Sequence, residues 1–89
     1  MTLERRREGL VITSLPLQDM ALLSLAVPLS PEGEAVLAAL LRGEKVFVLP
    51  QGLEYKRYRR TAPRGVYEKF TAMERRLREM GIGLLRGHT

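Results

Sequence analysis

Residues 30–50 read SPEGEAVLAALLRGEKVFVLP and contain the signals of a helix followed by a buried strand. Ser30 is a favoured N-cap residue, Pro31 suits the first helical position, and acidic residues in the first turn complement the helix dipole. Arg42 and Gly43 supply a cation and then the glycine that commonly follows a helix C-terminus. The apolar residues at helical spacing predict the face that packs on the core: Val36, Leu37, Leu40 and Leu41.

Other segments on either side of this stretch have equally clear patterns. Residues 10–15 and 45–49 are short and rich in β-branched residues, which is typical of strands buried on both faces of a parallel sheet. Residues 17–27 predict a well-buried helix, residues 63–80 a long helix, and residues 82–85 a final short strand. The long helix has one apolar stripe: Val66, Phe70, Met73, Leu77 and Met80. On its polar face, which we expect to be solvated, Glu74 and Arg78 have the spacing of an ion pair.

The order strand, helix, helix, strand, loop, helix, strand predicts the α/β class. We expect a small two-layer or three-layer Rossmann-like unit in which a short parallel sheet of two or three strands is flanked by helices. Residues 9–86 form the single predicted domain, preceded by a frayed, charged N-terminus at residues 1–8 and followed by a tail at residues 87–89. A sheet this small has open edges, which favours association with another molecule.

Composition narrows the range of functions. The 89 residues contain no cysteine and one histidine, His88, which excludes thiolate zinc sites and cysteine nucleophiles and argues against a histidine metal site. We therefore expect no metal and a non-catalytic role. Fifteen Lys and Arg against ten Asp and Glu give a net charge of +5, which suits an anionic partner. No stretch predicts a membrane span or a signal peptide, so we expect a cytoplasmic protein.

The first candidate site lies where a predicted strand ends and a helix begins. It consists of Ser14, Pro16, Gln18 and Asp19. Ligands of open α/β sheets bind beyond the carboxyl ends of strands, and helix N-termini attract anions, so these residues predict a cofactor or anion site. The alternative is structural: Ser14 or Gln18 caps the helix, and Asp19 complements its dipole.

The second candidate site is residues 55–64, called the basic segment from here on. Its candidate binding residues are Tyr55, Lys56, Arg57, Tyr58, Arg59, Arg60 and Arg64. Arginine and tyrosine are frequent hot spots of protein interfaces, and the same mixture suits phosphate contacts and base stacking. The segment follows the carboxyl end of a predicted strand, so it could also hold a cofactor phosphate. The alternative is a solvated loop with Tyr55 and Tyr58 packed inward.

Two parts of the chain resemble a known family. Residues 14–21 and 34–50 resemble the C-terminal half of the flavin-dependent cysteine-decarboxylase-type flavoproteins, in which a strand ends in a Pro-x-x-x-Asn-type loop and a later helix leads through L-x-G-K-x-V into the next strand. Residues 52–58, 61–63 and 67–68 resemble more specifically the flavoprotein-like proteins encoded in ethanolamine-utilisation (bacterial microcompartment) operons. The resemblance implies a Rossmann-type fold and makes flavin mononucleotide (FMN) the candidate cofactor.

The chain departs from this family at the positions that carry its chemistry. The family's glycine- or serine-rich phosphate loop has no counterpart in these 89 residues. Asp19 is nearest to the family's asparagine, and His88 lies in the tail rather than at the catalytic position. The resemblance, which covers about residues 10–83, therefore implies the fold without the decarboxylase activity.

Together these features predict a non-catalytic, flavoprotein-like accessory or interaction protein linked to ethanolamine utilisation. It would act as a homo-oligomer or with a partner protein, through the basic segment. One alternative is a binder of FMN, a nucleotide or another anionic small molecule, with the site assembled across a homo-oligomer. A second alternative is a basic nucleic-acid-binding domain, whose affinity would fall steeply with salt, although the sequence has no recognisable nucleic-acid motif.

Overall fold

Four strands form one sheet, in the order β1-β2-β3-β4, in the computed structural model, which describes residues 1–86. The strands are β1 (Thr2–Arg6), β2 (Gly9–Ser14), β3 (Val46–Val48) and β4 (Ile82–Leu84). β1 runs antiparallel to β2, whereas β2, β3 and β4 are parallel. The predicted α/β class and parallel arrangement are confirmed, but the sheet has four strands instead of two or three.

Three α-helices connect these strands: α1 (Leu17–Ser24), α2 (Pro31–Leu41) and α3 (Arg64–Glu79). Two short 3₁₀ turns, Pro50–Gly52 and Glu54–Tyr58, lie between β3 and α3. From β2 onwards the predicted order of strands and helices is therefore confirmed. None of the helices within residues 1–86 has the length and apolar character needed to cross a membrane. The predicted tail at residues 87–89, including His88, lies outside the described residues.

The extra strand is at the N-terminus, where the sequence predicted fraying. Residues 2–6 form β1, which pairs with β2 so that Leu3 lies opposite Ile12 and Arg5 opposite Leu10. An edge strand accommodates charged residues because much of its surface faces solvent, and here four of the five residues of β1 are exposed. Leu3 packs against the core, and the Met1 side chain is buried. The apolar anchors and the backbone pairing with β2 thus order a segment whose charges suggested disorder.

The structure has two layers. Strand side chains alternate between the faces of a sheet. Those on one face, including Ile12, Val48 and Ile82, join a single core cluster with residues from all three helices. Val11 and Phe47 lie on the opposite face, outside that cluster. The helices therefore cover one face of the sheet, which resolves the choice between two and three layers.

The ends of α2 are formed as the sequence predicted. The Gly33 N–H group donates a hydrogen bond of 2.9 Å to Ser30 Oγ, and Gly43 after the helix has a φ of 78°, which glycine adopts at little cost. The burial of this helix differs from the prediction at Leu41, which is 89% exposed. Ala39 faces the core, and a residue two positions further along a helix points to the opposite side.

Helix α1 ends three residues before the predicted boundary. The N–H groups of Ala26 and Val27 donate to the carbonyl groups of Leu23 and Leu22, which is the hydrogen-bond pattern of a Schellman C-cap. Ala26 takes the left-handed position of this motif, with a φ of 58°. Pro28 follows and disfavours helical angles at the residue before it.

Candidate binding groove at the basic segment

The basic segment lies at the carboxyl edge of the parallel strands. After β2, the Leu15 N–H group donates a hydrogen bond of 2.8 Å to the Gly52 carbonyl group, and Leu15 and Leu53 form an isolated parallel bridge. Leu15 and Leu53 are both buried. The chain that enters the basic segment is therefore fixed to the end of β2.

Tyr55 anchors the segment to α3. Its ring lies 5.2 Å from the Tyr67 ring and 5.9 Å from the Phe70 ring, measured between centroids. The Tyr55 hydroxyl group donates a hydrogen bond to Glu74 Oε1. Burial, and secondly this hydrogen bond, raise the pKa of Tyr55 above its ordinary value. The inward packing foreseen in the structural alternative thus holds for Tyr55.

Glu74 is buried on the face of α3 that the sequence predicts to be solvated. Arg78 Nη2 lies 2.9 Å from Glu74 Oε2, so the predicted ion pair is confirmed. Lys56 Nζ, from the basic segment, lies 3.9 Å from Glu74 Oε1. The carboxylate therefore has two cationic neighbours and the Tyr55 hydroxyl donor, which together compensate for its burial.

An apolar groove opens beside Tyr55, with a volume of about 140 Å³. We call it the aromatic groove, and its lining residues are Leu17, Tyr55, Tyr58, Ala62, Val66, Tyr67 and Phe70. A 3₁₀ turn has three residues per turn, so Tyr55 and Tyr58 lie on the same side of it. Tyr58 is 41% exposed, which leaves its ring accessible at the groove.

In the basic segment, cationic residues alternate along the chain with residues that line the aromatic groove. The basic segment contains five cationic residues and no acidic residue. Arg57, Arg59 and Arg60 flank Tyr58 and are exposed, and within residues 1–86 none of the three forms an ion pair. Arg64, also exposed, pairs with Glu68 at 2.9 Å. The groove thus combines an apolar lining with nearby uncompensated positive charge.

The first candidate site does not build an anion pocket. Pro16 is the N-cap residue of α1, and no side chain caps the helix, so neither Ser14 nor Gln18 has the capping role. Both of these side chains belong to exposed residues. Asp19 lies in the first turn of α1, and its Oδ2 atom is 2.6 Å from the Met1 ammonium group. The two charges at this helix end therefore compensate each other, and the Met1 ammonium group is already occupied by Asp19.

FMN does not fit either of the two candidate sites within one chain. A phosphate at the start of α1 would meet the Asp19 carboxylate. Sites for small molecules usually enclose about 300–1,000 Å³, and the aromatic groove has only about 140 Å³. Within residues 1–86, no group of three acidic, histidine or cysteine residues could hold a metal ion either.

Sequence reasoning placed Val66 in the core stripe of α3 and did not foresee its role in the groove. Val66 is 51% exposed and lines the groove, whereas Leu77, further along the same stripe, is buried. Leu17 joins the groove from the start of α1, which brings the two candidate sites next to each other. A signal for this was present in the sequence, because Val66 lies only three residues after Pro63 and therefore in the first turn of α3.

The chain was compared with protein-family models, with curated proteins and with solved structures, and none of them matches it.

Proposed function

We propose that this protein is a non-catalytic interaction protein whose aromatic groove binds an acidic segment of a partner protein that carries one apolar side chain. The observation that carries the proposal is an apolar groove whose exposed residue Tyr58 is flanked in the chain by Arg57, Arg59 and Arg60, which are exposed and form no ion pair within residues 1–86. The fold is a small α/β unit, and the resemblance to flavoproteins rests on the sequence alone. The link to ethanolamine utilisation rests on the sequence resemblance of residues 52–58, 61–63 and 67–68 and stays a prediction.

The size of the aromatic groove favours a side chain over a cofactor. About 140 Å³ suits one large apolar side chain and lies below the usual range for small-molecule sites. Tyr58 and Val66 have the largest exposed fractions among the groove residues. An inserted phenylalanine or leucine would contact both and be removed from water, which is how interface anchors gain most of their affinity.

The charge next to the groove favours an acidic partner. Arg57, Arg59 and Arg60 have no carboxylate of their own within residues 1–86. Carboxylates flanking the inserted side chain would therefore find unpaired guanidinium groups, which bind carboxylates through two parallel hydrogen bonds.

Nucleic acid is a weaker fit to the same surface. Base stacking needs aromatic rings open to solvent. Tyr55 is 4% exposed, and its hydroxyl group is bonded to Glu74, so Tyr58 is the only exposed tyrosine ring of the basic segment. One open ring with three arginines favours an anchor-and-carboxylate contact over a stacking platform.

Calorimetric titration with short blocked peptides tests the proposal. We expect the peptide Glu-Glu-Phe-Glu-Glu to bind at least about tenfold more tightly than Glu-Glu-Gly-Glu-Glu, which lacks the anchor, or Lys-Lys-Phe-Lys-Lys, which reverses the charge. Val66→Asp should remove this preference without affecting folding, because Val66 is half exposed.

Three outcomes would overturn the proposal. The first is equal affinity for the three peptides. The second is saturable binding of FMN with no peptide binding, which would favour a cofactor site. The third is binding of a single-stranded oligonucleotide with a steep salt dependence and no peptide binding, which would favour a nucleic-acid role. The sequence also predicts a second copy of the chain as a partner. We expect that copy to bind at a surface other than the aromatic groove.

A further inference from the structure

A second apolar surface lies on the outer side of α2, away from the aromatic groove. It is a concavity of about 540 Å³ between α2, the α1–α2 connection and the end of α3. The apolar residues that line it are Ala26, Pro28, Leu37, Ala38, Leu40 and Met80. Its described lining is almost entirely apolar.

A protruding leucine stands at the edge of this concavity. Leu41 lines it and is 89% exposed. The same face of α2 therefore carries a projecting apolar side chain and an apolar hollow. A two-fold interface uses one patch twice, so a patch that contains both shapes can pair with itself.

The charges at the two ends of α2 are also complementary between two copies of the helix. Glu34 lines the concavity in the first turn of the helix, and Arg42 is the C-cap residue at the other end. If two copies of α2 cross antiparallel, Glu34 of each copy lies opposite the partner's Arg42. The midpoint between these positions is Ala38, whose small side chain permits a close approach of the two helices at the axis.

From these three features we infer that α2 forms the interface of a homodimer, with the Leu41 side chain of each copy inserted into the concavity of the other. The occupant is a second copy because the patch supplies both halves of the contact in shape and in charge. A small-molecule site of this volume would need several placed polar groups. Among the lining residues within positions 1–86, Glu34 alone is charged, and it would repel an anion such as FMN.

Sedimentation velocity over a concentration series tests the inference. We expect a reversible dimer for the natural chain, and Leu41→Glu should raise its dissociation constant by at least about 30-fold. Since Leu41 is exposed in the isolated chain, this substitution should leave the fold intact. Val66→Asp, in the aromatic groove, is the matched control and should leave the dimer unchanged.

The two variants also separate this inference from the proposed function. Leu41→Glu should lose the dimer and keep peptide binding, and Val66→Asp should do the reverse. A natural chain that stays monomeric at every concentration would overturn the inference. A dimer that Leu41→Glu does not weaken would overturn it as well.

Cysteine cross-linking tests the position of the axis. The chain has no cysteine, so a single introduced thiol can pair only with its copy. We expect Ala38→Cys to form a disulfide-linked dimer rapidly under mild oxidation, because the two copies of residue 38 meet at the axis. Gln51→Cys, at an exposed position beyond β3, is the control and should cross-link slowly. Equal rates for the two variants would contradict the proposed interface.

A charge exchange tests the antiparallel direction. Glu34→Arg and Arg42→Glu should each weaken the dimer, because each places like charges opposite one another. The double variant should recover most of the affinity. Arg42 also pairs with Glu44 of its own chain, so circular dichroism must show that each variant is folded. A double variant that is weaker than both single variants would rule out this direction.

Discussion

The Tyr55 hydroxyl group donates a hydrogen bond to the Glu74 carboxylate and joins the basic segment to α3. Both residues are buried, Glu74 with 7% of its surface exposed. Lys56 and Arg78 lie near the same carboxylate. This contact fixes the position of the short turn that carries Tyr58, and thereby the aromatic wall of the groove.

Replacing Tyr55 by phenylalanine should lower the free energy of unfolding by about 1–3 kcal/mol. The substitution removes one hydrogen bond to a buried carboxylate, and hydrogen bonds to charged groups contribute about this much. Urea unfolding measures the difference. Tyr58→Phe changes an exposed tyrosine of the same turn and should have little effect. Equal losses in the two variants would mean that the Tyr55 hydroxyl group does not stabilise the fold.

Tyr55 should also make the protein sensitive to alkaline pH. Burial, and then the hydrogen bond to Glu74, raise its pKa above the ordinary value of 10.0. The folded state thus holds the tyrosine proton more tightly than the unfolded chain does. The stabilisation is complete below about pH 10 and declines as the pH rises from there towards the folded-state pKa.

Urea unfolding of the natural protein and of Tyr55→Phe at a series of pH values measures this effect. Other lysine and tyrosine side chains titrate in both proteins, so the difference between the two isolates Tyr55. The advantage of the natural protein should shrink above about pH 10. A constant difference throughout the series would contradict the raised pKa.

Gly52 is a position where a side chain has no room. A Cβ atom there would lie 2.4 Å from the Thr13 carbonyl oxygen, a backbone atom that cannot turn away. Gly52→Ala should therefore destabilise the protein by about 1–3 kcal/mol. A Cβ atom on Gly65, in the first turn of α3, would meet no atom of residues 1–86 within 4 Å apart from its chain neighbours and the local helix backbone. Gly65→Ala should be neutral or stabilise by up to about 1 kcal/mol, and thermal unfolding compares the two. Similar melting temperatures would contradict the close approach of Gly52 to β2.

Reversing one charge of the basic segment should weaken peptide binding. Arg59→Glu should lower the affinity for Glu-Glu-Phe-Glu-Glu by about 3- to 10-fold, since exposed charge pairs are individually modest. Arg7→Glu makes the same change in the β1–β2 turn, at the opposite edge of the sheet, and controls for net charge. Calorimetric titration at two salt concentrations checks the result. An equal loss in both variants would indicate a non-specific effect of charge.

Local signals predicted much of the fold. The Ser30 cap, Pro31 and Gly43 defined α2, and the β-branched runs defined β2 and β3, because these features depend on neighbouring residues. β1 was missed because its stability comes from pairing with β2, which the charges of residues 2–8 do not reveal. Helical spacing alone could not show which leucines of α2 face the sheet, so Leu41 was assigned to the core.

The candidate site was predictable only in part. The mixture of tyrosine and arginine indicates the basic segment. Which tyrosine packs inward (Tyr55) and which stays accessible at the groove (Tyr58) depends on the position of α3. Val66 and Leu17 come from two different helices, and no local pattern relates them. The groove is a product of tertiary packing.

The most direct test of the proposed function is an NMR titration of the ¹⁵N-labelled protein with the peptide Glu-Glu-Phe-Glu-Glu. We expect saturable shifts of the amide signals of Tyr58, Ala62 and Val66, while the signals of α2 stay in place. The glycine-centred peptide should cause much smaller shifts. No shifts around the aromatic groove, or shifts spread evenly over the exposed arginines of the chain, would contradict the proposal that this groove is the binding site.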